Sequence, residues 1–348
     1  MPGLALTVQG ALARFFLGLP VPAQRMLAGK PVVLDGQTLA PETQLMLRLA
    51  RLAGEDELDS VTLEQGRQHM SEQAQLVGGR QRIGATRDLV VDGAAGPLDA
   101  RLYVPTSRLG PGPRPTLLFL HGGGMMQGDL ASHDAPCRFL AERSGVQVLA
   151  IDYRLAPEHR FPAAVEDGIA AYRWLVAHAE ELQADRDRLA VGGDSAGGYL
   201  SATTALLAAE EGLPMAFQLL VYPCTDFVQV SRSRELFGHG FYLTREFMDL
   251  AEGNYFAAGE DRDHPLASIV RRKEVPDGLA PAHVVTAGFD PLRDEGEAYA
   301  ALLAEHGVEV TQVRYQSMIH GFFNVVGCGH ESPAYVAAIA DRLRDALS

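Results

Sequence analysis

The pattern of apolar and polar positions changes character near residue 79. Before it, apolar residues recur at helical spacing. Leu4, Val8, Leu12, Phe15, Phe16 and Leu19 form one run; Leu45, Leu47, Leu49 and Leu52 follow Pro41-Glu42-Thr43; a third run, Leu63 to Leu76, carries Met70 and Ala74 among charges. No strand pattern of weight interrupts these helices. Beyond them, Leu89-Val90-Val91 and Leu98 to Val104 alternate like a strand pair around Asp92-Gly93-Ala94-Ala95-Gly96. From residue 115, short unbroken apolar runs alternate with helical stretches. The runs predict strands at 116–120, 146–151, 188–192, 217–222, 284–287 and 308–315, with helices at 136–142, 163–179, 196–210, 297–307 and 334–347 between and after them. Continuous apolar strands separated by helices mean a mostly parallel sheet covered on both faces. Right-handed crossovers make such a sheet doubly wound.

Residues of about 225–272 break this rhythm. They are rich in Phe, Tyr, Arg and Gly and carry no strand pattern, so they read as a helical insertion between two core strands. An insertion at the carboxyl ends of strands lies over the place where such sheets bind ligands. The expected organisation is an N-terminal helical cap segment (1–78), a first part of the α/β core (79–224), a cap insertion (225–272) and a second part of the core (273–348). The chain has no internal repeats and no low-complexity tracts.

The 348 residues are 47% hydrophobic and 21% charged, an ordinary globular balance that excludes a disordered chain or a fibre. At this length a chain buries about three quarters of its unfolded surface and needs neither disulfides nor a structural metal. The net charge of −14 repels phosphate backbones, so nucleic acid is not an expected partner. The one tight basic run, Arg271-Arg272-Lys273, reads as a solvated loop at least as readily as a binding patch. Cys137, Cys224 and Cys328 are odd in number and far apart, which points to buried free thiols in a reducing compartment, the cytoplasm, rather than to a disulfide framework or a metal site. No stretch reaches the ~18 uncharged apolar residues of a membrane helix, and no stable membrane association is expected. Met1 to Leu19 lacks a basic leader and is interrupted by Arg14, so it reads as an amphipathic helix rather than a signal peptide.

The strongest chemical signal is Gly193-Asp194-Ser195-Ala196-Gly197, between a predicted strand and a predicted helix. That context suits a nucleophile elbow, in which Ser195 occupies a strained turn and the flanking glycines let strand and helix approach. The helix start beneath it favours developing negative charge. A second signal, His121-Gly122-Gly123-Gly124, directly follows the strand ending at Leu120. Glycines there let backbone N–H groups turn toward an oxyanion. The structural alternative for each is a tight glycine-rich turn.

A serine nucleophile needs a base, and the base needs an orienting acid. In enzymes with such an elbow the acid and then the histidine follow the serine in the chain. The histidines after Ser195 are His239, His264, His283, His306, His320 and His330. His239 and His264 fall in the insertion, His283 opens a strand, and His306 closes a helix. His330 lies near the start of the final helix. His320 sits in the loop after the last strand, where the base belongs. Asp290 directly follows the strand at 284–287; Asp294 and Glu295 compete but open the next helix. Glu158, His159 and Arg160 read as buried, paired charges fixing a turn near the glycine loop. Asp194 is expected to hydrogen-bond a neighbouring loop.

Together these motifs resemble the bacterial hormone-sensitive-lipase-like carboxylesterases of the α/β-hydrolase superfamily. The match runs through His121-Gly122-Gly123-Gly124, Asp152-Tyr153-Arg154-Leu155-Ala156-Pro157-Glu158, Gly193-Asp194-Ser195-Ala196-Gly197-Gly198, Asp290-Pro291-Leu292 and His320-Gly321-Phe322, in order over roughly residues 80–348. The resemblance implies an α/β-hydrolase fold with a mostly parallel sheet of about eight strands, helices on both faces and a helical cap. It implies Ser195 as nucleophile, His320 as base and Asp290 as orienter. The implied oxyanion hole is built on Gly122, Gly123, Gly124 and Ala196, with Gly123, Gly124 and Ala196 donating and Gly122 shaping the loop. The implied substrates are esters of short to medium acyl chains, with no metal or cofactor, and the implied assembly is a homodimer. Family members often carry a bulky aromatic after the glycines; Met125 and Met126 stand here, and pliable Met leaves the pocket shape open. Two other readings stay open. One is an amidase. The other is a non-catalytic receptor such as the plant gibberellin receptors, which have lost the histidine that this chain keeps as His320.

Overall fold

The computed structural model describes residues 2–54, 62–108 and 110–348. In chain order the helices are α1 (Pro2–Leu17), α2 (Val21–Ala28), α3 (Pro41–Ala53), α4 (Leu63–Gly78), α5 (Asp134–Ser144), α6 (Ala163–Ala177), α7 (Ala196–Glu210), α8 (Arg232–Phe237), α9 (Arg245–Tyr255), α10 (Arg293–Glu305) and α11 (Glu331–Ala346). The strands are β1 (Val33–Leu34), β2 (Gln37–Thr38), β3 (Ala85–Gly93), β4 (Gly96–Val104), β5 (Arg114–Leu120), β6 (Gln147–Ile151), β7 (Ala184–Asp194), β8 (Phe217–Val221), β9 (Ala282–Phe289) and β10 (Val310–Ile319).

Eight strands form one sheet in the order β10-β9-β8-β7-β5-β6-β4-β3. All its pairings are parallel except β3 with β4 and β4 with β6. The alternation along β5 shows why its run is apolar throughout. Leu118 and Leu120 pack with α6, α7 and α10 on one face, while Leu117 and Phe119 pack with α5 and α11 on the other. Helix α7 is buried nearly all round, so its hydroxyls bond inward: Ser201 Oγ donates to the Gly197 carbonyl at 2.6 Å and Thr204 Oγ1 to that of Leu200 at 2.7 Å.

The N-terminal helices differ in detail from their expected pattern. In α1, Leu12 and Phe15 face solvent while Leu17 is buried; the side chains of Leu4 and Val8 lie outside the described residues. A small hairpin, β1–β2, interrupts a stretch read as wholly helical. Its turn is Asp35-Gly36, both with positive φ, and that dipeptide is a readable hairpin signal. The hairpin matters because it leans on the carboxyl ends of β9 and β10: Gln37 Nε2 donates to the Gly288 carbonyl at 3.1 Å, and the Ala40 N–H to that of Ser317 at 3.0 Å.

Glu42 at the start of α3 ties the two ends of the chain together. Its buried carboxylate accepts the N–H groups of His330, Glu331 and Ser332 at 2.7, 2.8 and 3.3 Å, at the N-terminus of α11. A carboxylate there satisfies orphan donors and meets the positive end of the helix dipole. Glu42→Ala strands those donors and is expected to cost about 2 kcal/mol of stability; urea unfolding monitored by circular dichroism measures it.

All three cysteines are free and buried, as expected. Arg271 and Arg272 are held by Asp263 and Glu210. Among the described residues no helix is long and apolar enough to cross a membrane.

Candidate active site

Ser195 stands between β7 and α7 with φ 57° and ψ −120°. A non-glycine residue holds that conformation only where its surroundings over-determine it. They do so here because strand and helix close tightly on β5: a Cβ on Gly193 or Gly197 would fall on the Leu120 carbonyl oxygen. The Ser195 N–H donates to Val221 at 2.9 Å, which locks the turn from the β8 side.

His320 directly follows β10 and Asp290 directly follows β9, so both project at the carboxyl edge beside Ser195. The Ser195 hydroxyl donates to His320 Nε2 at 2.8 Å, and His320 Nδ1–H donates to Asp290 Oδ2 at 2.8 Å. An acidic partner on Nδ1 sets the tautomer that leaves the Nε2 lone pair for the serine. Asp290 is fully buried, and its Oδ1 accepts the Leu292 N–H at 2.8 Å. The Tyr222 ring packs on the His320 ring at 4.4 Å between centroids. The competing residues lie elsewhere. Asp294 accepts the Ser233 N–H, and Glu295 pairs with Arg234 at 2.9 Å, so both tie the 225–272 segment to α10. His283 bonds Thr311, His306 directly follows α10, and His330 directly precedes α11.

The loop after β5 turns through positive φ at Gly123 (124°), Gly124 (63°) and Met125 (57°). Among the described residues the N–H groups of Gly123, Gly124 and Ala196 have no hydrogen-bond partner. Gly122, expected to shape the loop rather than to donate, is tied down in the structure. Its N–H is committed to Asp194 Oδ1 at 3.0 Å, so Gly122 shapes the loop and has no proton left to offer. Asp194 also accepts from His133 Nε2 at 3.2 Å. Burial pushes the Asp194 carboxyl upward, but His133 and the Gly122 N–H outweigh it and hold the group below the ordinary carboxylate range. His133, itself buried, is a supporting residue that the sequence reading missed.

This arrangement can relay a proton from a serine hydroxyl while free N–H groups face a developing anion. A family profile described as the α/β-hydrolase fold matches residues 117–324. The chain belongs to the α/β-hydrolase family. Within that family it falls on the hormone-sensitive-lipase-like branch. It is 44% identical to the carboxylic ester hydrolase LipN of Mycobacterium tuberculosis over 341 residues, which covers 95% of this chain and 89% of LipN. It is 33% identical to an arylesterase of Saccharolobus solfataricus, over 82% of this chain and 92% of that one. Among solved structures, the hyperthermophilic esterase from Pyrobaculum calidifontis superposes with a TM-score of 0.82 at 34% identity, over 88% of this chain and 98% of that one.

Two segments of this α/β hydrolase flank the glycine loop. Arg67 of α4 donates to the Met126 carbonyl at 2.8 Å and the Ala156 carbonyl at 3.0 Å, and grips Glu158 with both terminal nitrogens. That pairing holds Glu158 down at about 2. Glu158, His159 and Arg160 are exposed rather than buried as expected; the buried charge of this turn is Asp167, bound by Arg154 at 2.8 Å. From the other side, Phe247 and Ala251 of α9 close over Gly124: a Cβ there would stand 3.0 Å from that of Ala251. Met125 and Met126 are buried beneath.

Two buried histidines give the hydrolase a specific acid sensitivity. Burial lowers both His121 and His283 from 6.5 to about 4. Between those values the unfolded chain takes up protons that the native state refuses. Their stabilising effect is therefore complete above pH 6.5 and lost as pH falls toward 4, on the order of 3 kcal/mol for each group. Thermal melts across that range should show a falling Tm, and His283→Gln should flatten the slope.

Proposed function

We infer that this chain is a serine carboxylesterase acting on short- to medium-chain acyl esters through an acyl-enzyme. The observation that carries this reading is the unbroken chain of 2.8 Å hydrogen bonds from Ser195 through His320 to Asp290, beside three unpaired N–H groups. Ser195 Oγ attacks the ester carbonyl carbon as its proton passes to His320 Nε2. The carbonyl oxygen becomes an oxyanion, held by the N–H groups of Gly123, Gly124 and Ala196. Collapse expels the alkoxide, which takes the proton from His320 and leaves as alcohol. Water then attacks the acyl-Ser195 ester along the same path, and the acid departs. Asp290 orients His320 and stabilises the imidazolium without itself taking the proton.

The preference for shorter acyl chains is supported by the close approach of Phe247 and Ala251 to the glycine loop. The relatives' names as esterases, among them an ethyl acetate hydrolase of Pseudomonas putida, support it too. Residues 1–78 and 225–272 form the cap in this reading, held by Arg67 and by the Arg234–Glu295 pair. A cytoplasmic setting suits the three free thiols. A homodimer belongs to the same reading, and light scattering at micromolar concentration tests it.

The deciding experiment is hydrolysis of p-nitrophenyl esters from acetate to palmitate. The acyl-chain reading expects kcat/KM to fall by about two orders of magnitude or more between its short-chain maximum and palmitate. A maximum at palmitate would overturn it. Absence of turnover for every ester by folded protein would overturn the esterase reading itself.

A further inference from the structure

Between α8 and α9, Tyr242 breaks a local rule. Its φ is 77°, in a region that bulky side chains avoid. The Leu243 N–H donates to the Phe241 carbonyl at 3.1 Å across it. A hydrogen bond of that span around a residue of positive φ is the rarer, strained form of γ-turn. Such strain persists only where the surroundings impose it, and it gathers at ligand sites. Here both neighbours are anchored. Phe241 packs on Phe237 and Phe289, at 5.7 and 5.3 Å between ring centroids, and Leu243 is buried in the main core. Tyr242 joins neither cluster.

The Tyr242 ring meets Gly321 instead, the residue after His320. A Cβ on Gly321 would stand 2.8 Å from Tyr242 Cε1, so the approach depends on a glycine there. The tyrosine keeps 44% of its surface open. Yet dense protein around the phenol, together with the Asp194 charge, raises its pKa above the ordinary value. A side chain both accessible and surrounded lines a cleft, not an outer face. The chemistry decides which part of an ester arrives there. The carbonyl oxygen goes to the N–H groups of Gly123, Gly124 and Ala196, and His320 Nε2 must reach the leaving oxygen to protonate it. The alcohol group therefore departs on the His320 side, where Tyr242 stands. Phe247 and Ala251 close the glycine-loop side.

We propose that Tyr242 is a specificity-determining residue whose ring packs on the alcohol part of the ester and selects planar aromatic alcohols over small alkyl ones. One ring offers another an offset-stacked or edge-on contact beyond simple apolar burial. The strained turn holds the ring in place beforehand, so little order is lost on binding. The inference rests on the esterase reading and goes beyond it in assigning the alcohol side.

The test is pH-stat hydrolysis of methyl, benzyl and cyclohexylmethyl acetate. Methanol and benzyl alcohol are leaving groups of similar acidity, so their ratio reads recognition. Wild-type kcat/KM should favour benzyl over methyl acetate by about tenfold or more, and over cyclohexylmethyl acetate by about threefold. Tyr242→Gly should cut the benzyl-to-methyl ratio about tenfold. Its Tm should hold or rise, because glycine takes a φ of 77° without strain. Tyr242→Asn, whose side chain tolerates that region, should give the same fall. Tyr242→Phe keeps the ring and should keep the ratio within about threefold of wild type. The ratio of methyl butyrate to methyl acetate, which reads the acyl side, should not follow these changes. A benzyl-to-methyl ratio unaltered in both ringless variants would overturn the proposal. So would a shift confined to the butyrate-to-acetate ratio. Wild-type turnover without a benzyl preference would overturn the role of Tyr242 alone, whereas no wild-type turnover of any of these esters would overturn the esterase reading with it.

Discussion

Replacing Ser195 by alanine is expected to lower kcat for p-nitrophenyl acetate by about 10⁴- to 10⁶-fold while leaving the fold intact. The reasoning starts from the hydrogen bond of 2.8 Å to His320: among the described residues the serine hydroxyl is the only group on that nitrogen, and in the proposed mechanism its oxygen forms the acyl ester. Alanine keeps the backbone of the elbow, because the strain at φ 57° belongs to the turn and not to the hydroxyl. Thermal stability should therefore change little, which separates loss of chemistry from loss of structure. His320→Ala should be comparably damaging, and the double variant no worse than either single one, since the residues act as a unit. Asp290→Asn should cost about 10⁴-fold, because an amide on Nδ1 favours the wrong tautomer. Retention of activity within tenfold in Ser195→Ala, measured on protein freed of host esterases, would sink the mechanism.

The second large effect is expected at Gly123. Its φ of 124° lies where side chains are strained, and a Cβ there would run into the Gln127 carbonyl. The loop has no slack, because the Gly123 carbonyl itself accepts the Gln127 N–H at 2.9 Å. Gly123→Ala must open this turn and carry the Gly123 N–H away from the oxyanion. The expected loss is about 10²- to 10³-fold in kcat, the size found when one oxyanion donor is removed. KM should move much less, since the ground-state carbonyl leans less on these donors than the tetrahedral anion does. Affinity for a reversible trifluoromethyl ketone should fall in parallel with kcat. A parallel rise in KM with kcat unchanged would mean that the loop shapes the pocket and does not hold the anion.

Much of this was legible along the chain. The core strands declare themselves because a sheet covered on both faces needs unbroken apolar runs, and Leu117 to Leu120 supply both faces at once. Helix ends were read less well. Helices α10 and α11 begin earlier than their apolar patterns indicate, at Arg293 and Glu331, because their first turns are polar and carry no apolar periodicity. Strand β7 likewise extends back to Ala184 through charged residues that apolar content does not flag. Ser195, Asp290 and His320 could be chosen because each sits just past a recognisable strand, and strand ends are where such a sheet gathers its chemistry.

The supporting groups were not legible. Asp194 with His133, Arg67 with Met126 and Glu158, and Glu42 with the start of α11 are pairs between residues distant in the chain. Asp194 could be read as bonding a neighbouring loop and Glu158 as a paired charge, but nothing local marks the distant partners His133 and Arg67; each pair exists only because strand order and helix docking bring its members together. The commitment of the Gly122 N–H to Asp194 is of the same kind. The motif says which glycines can turn toward an anion, whereas three-dimensional packing says which N–H is still free. Local order follows from steric preference and the period of apolar residues, so one chain suffices to read it. Hydrogen-bond allegiance follows from distance in space, and distance is set only once the layers have packed.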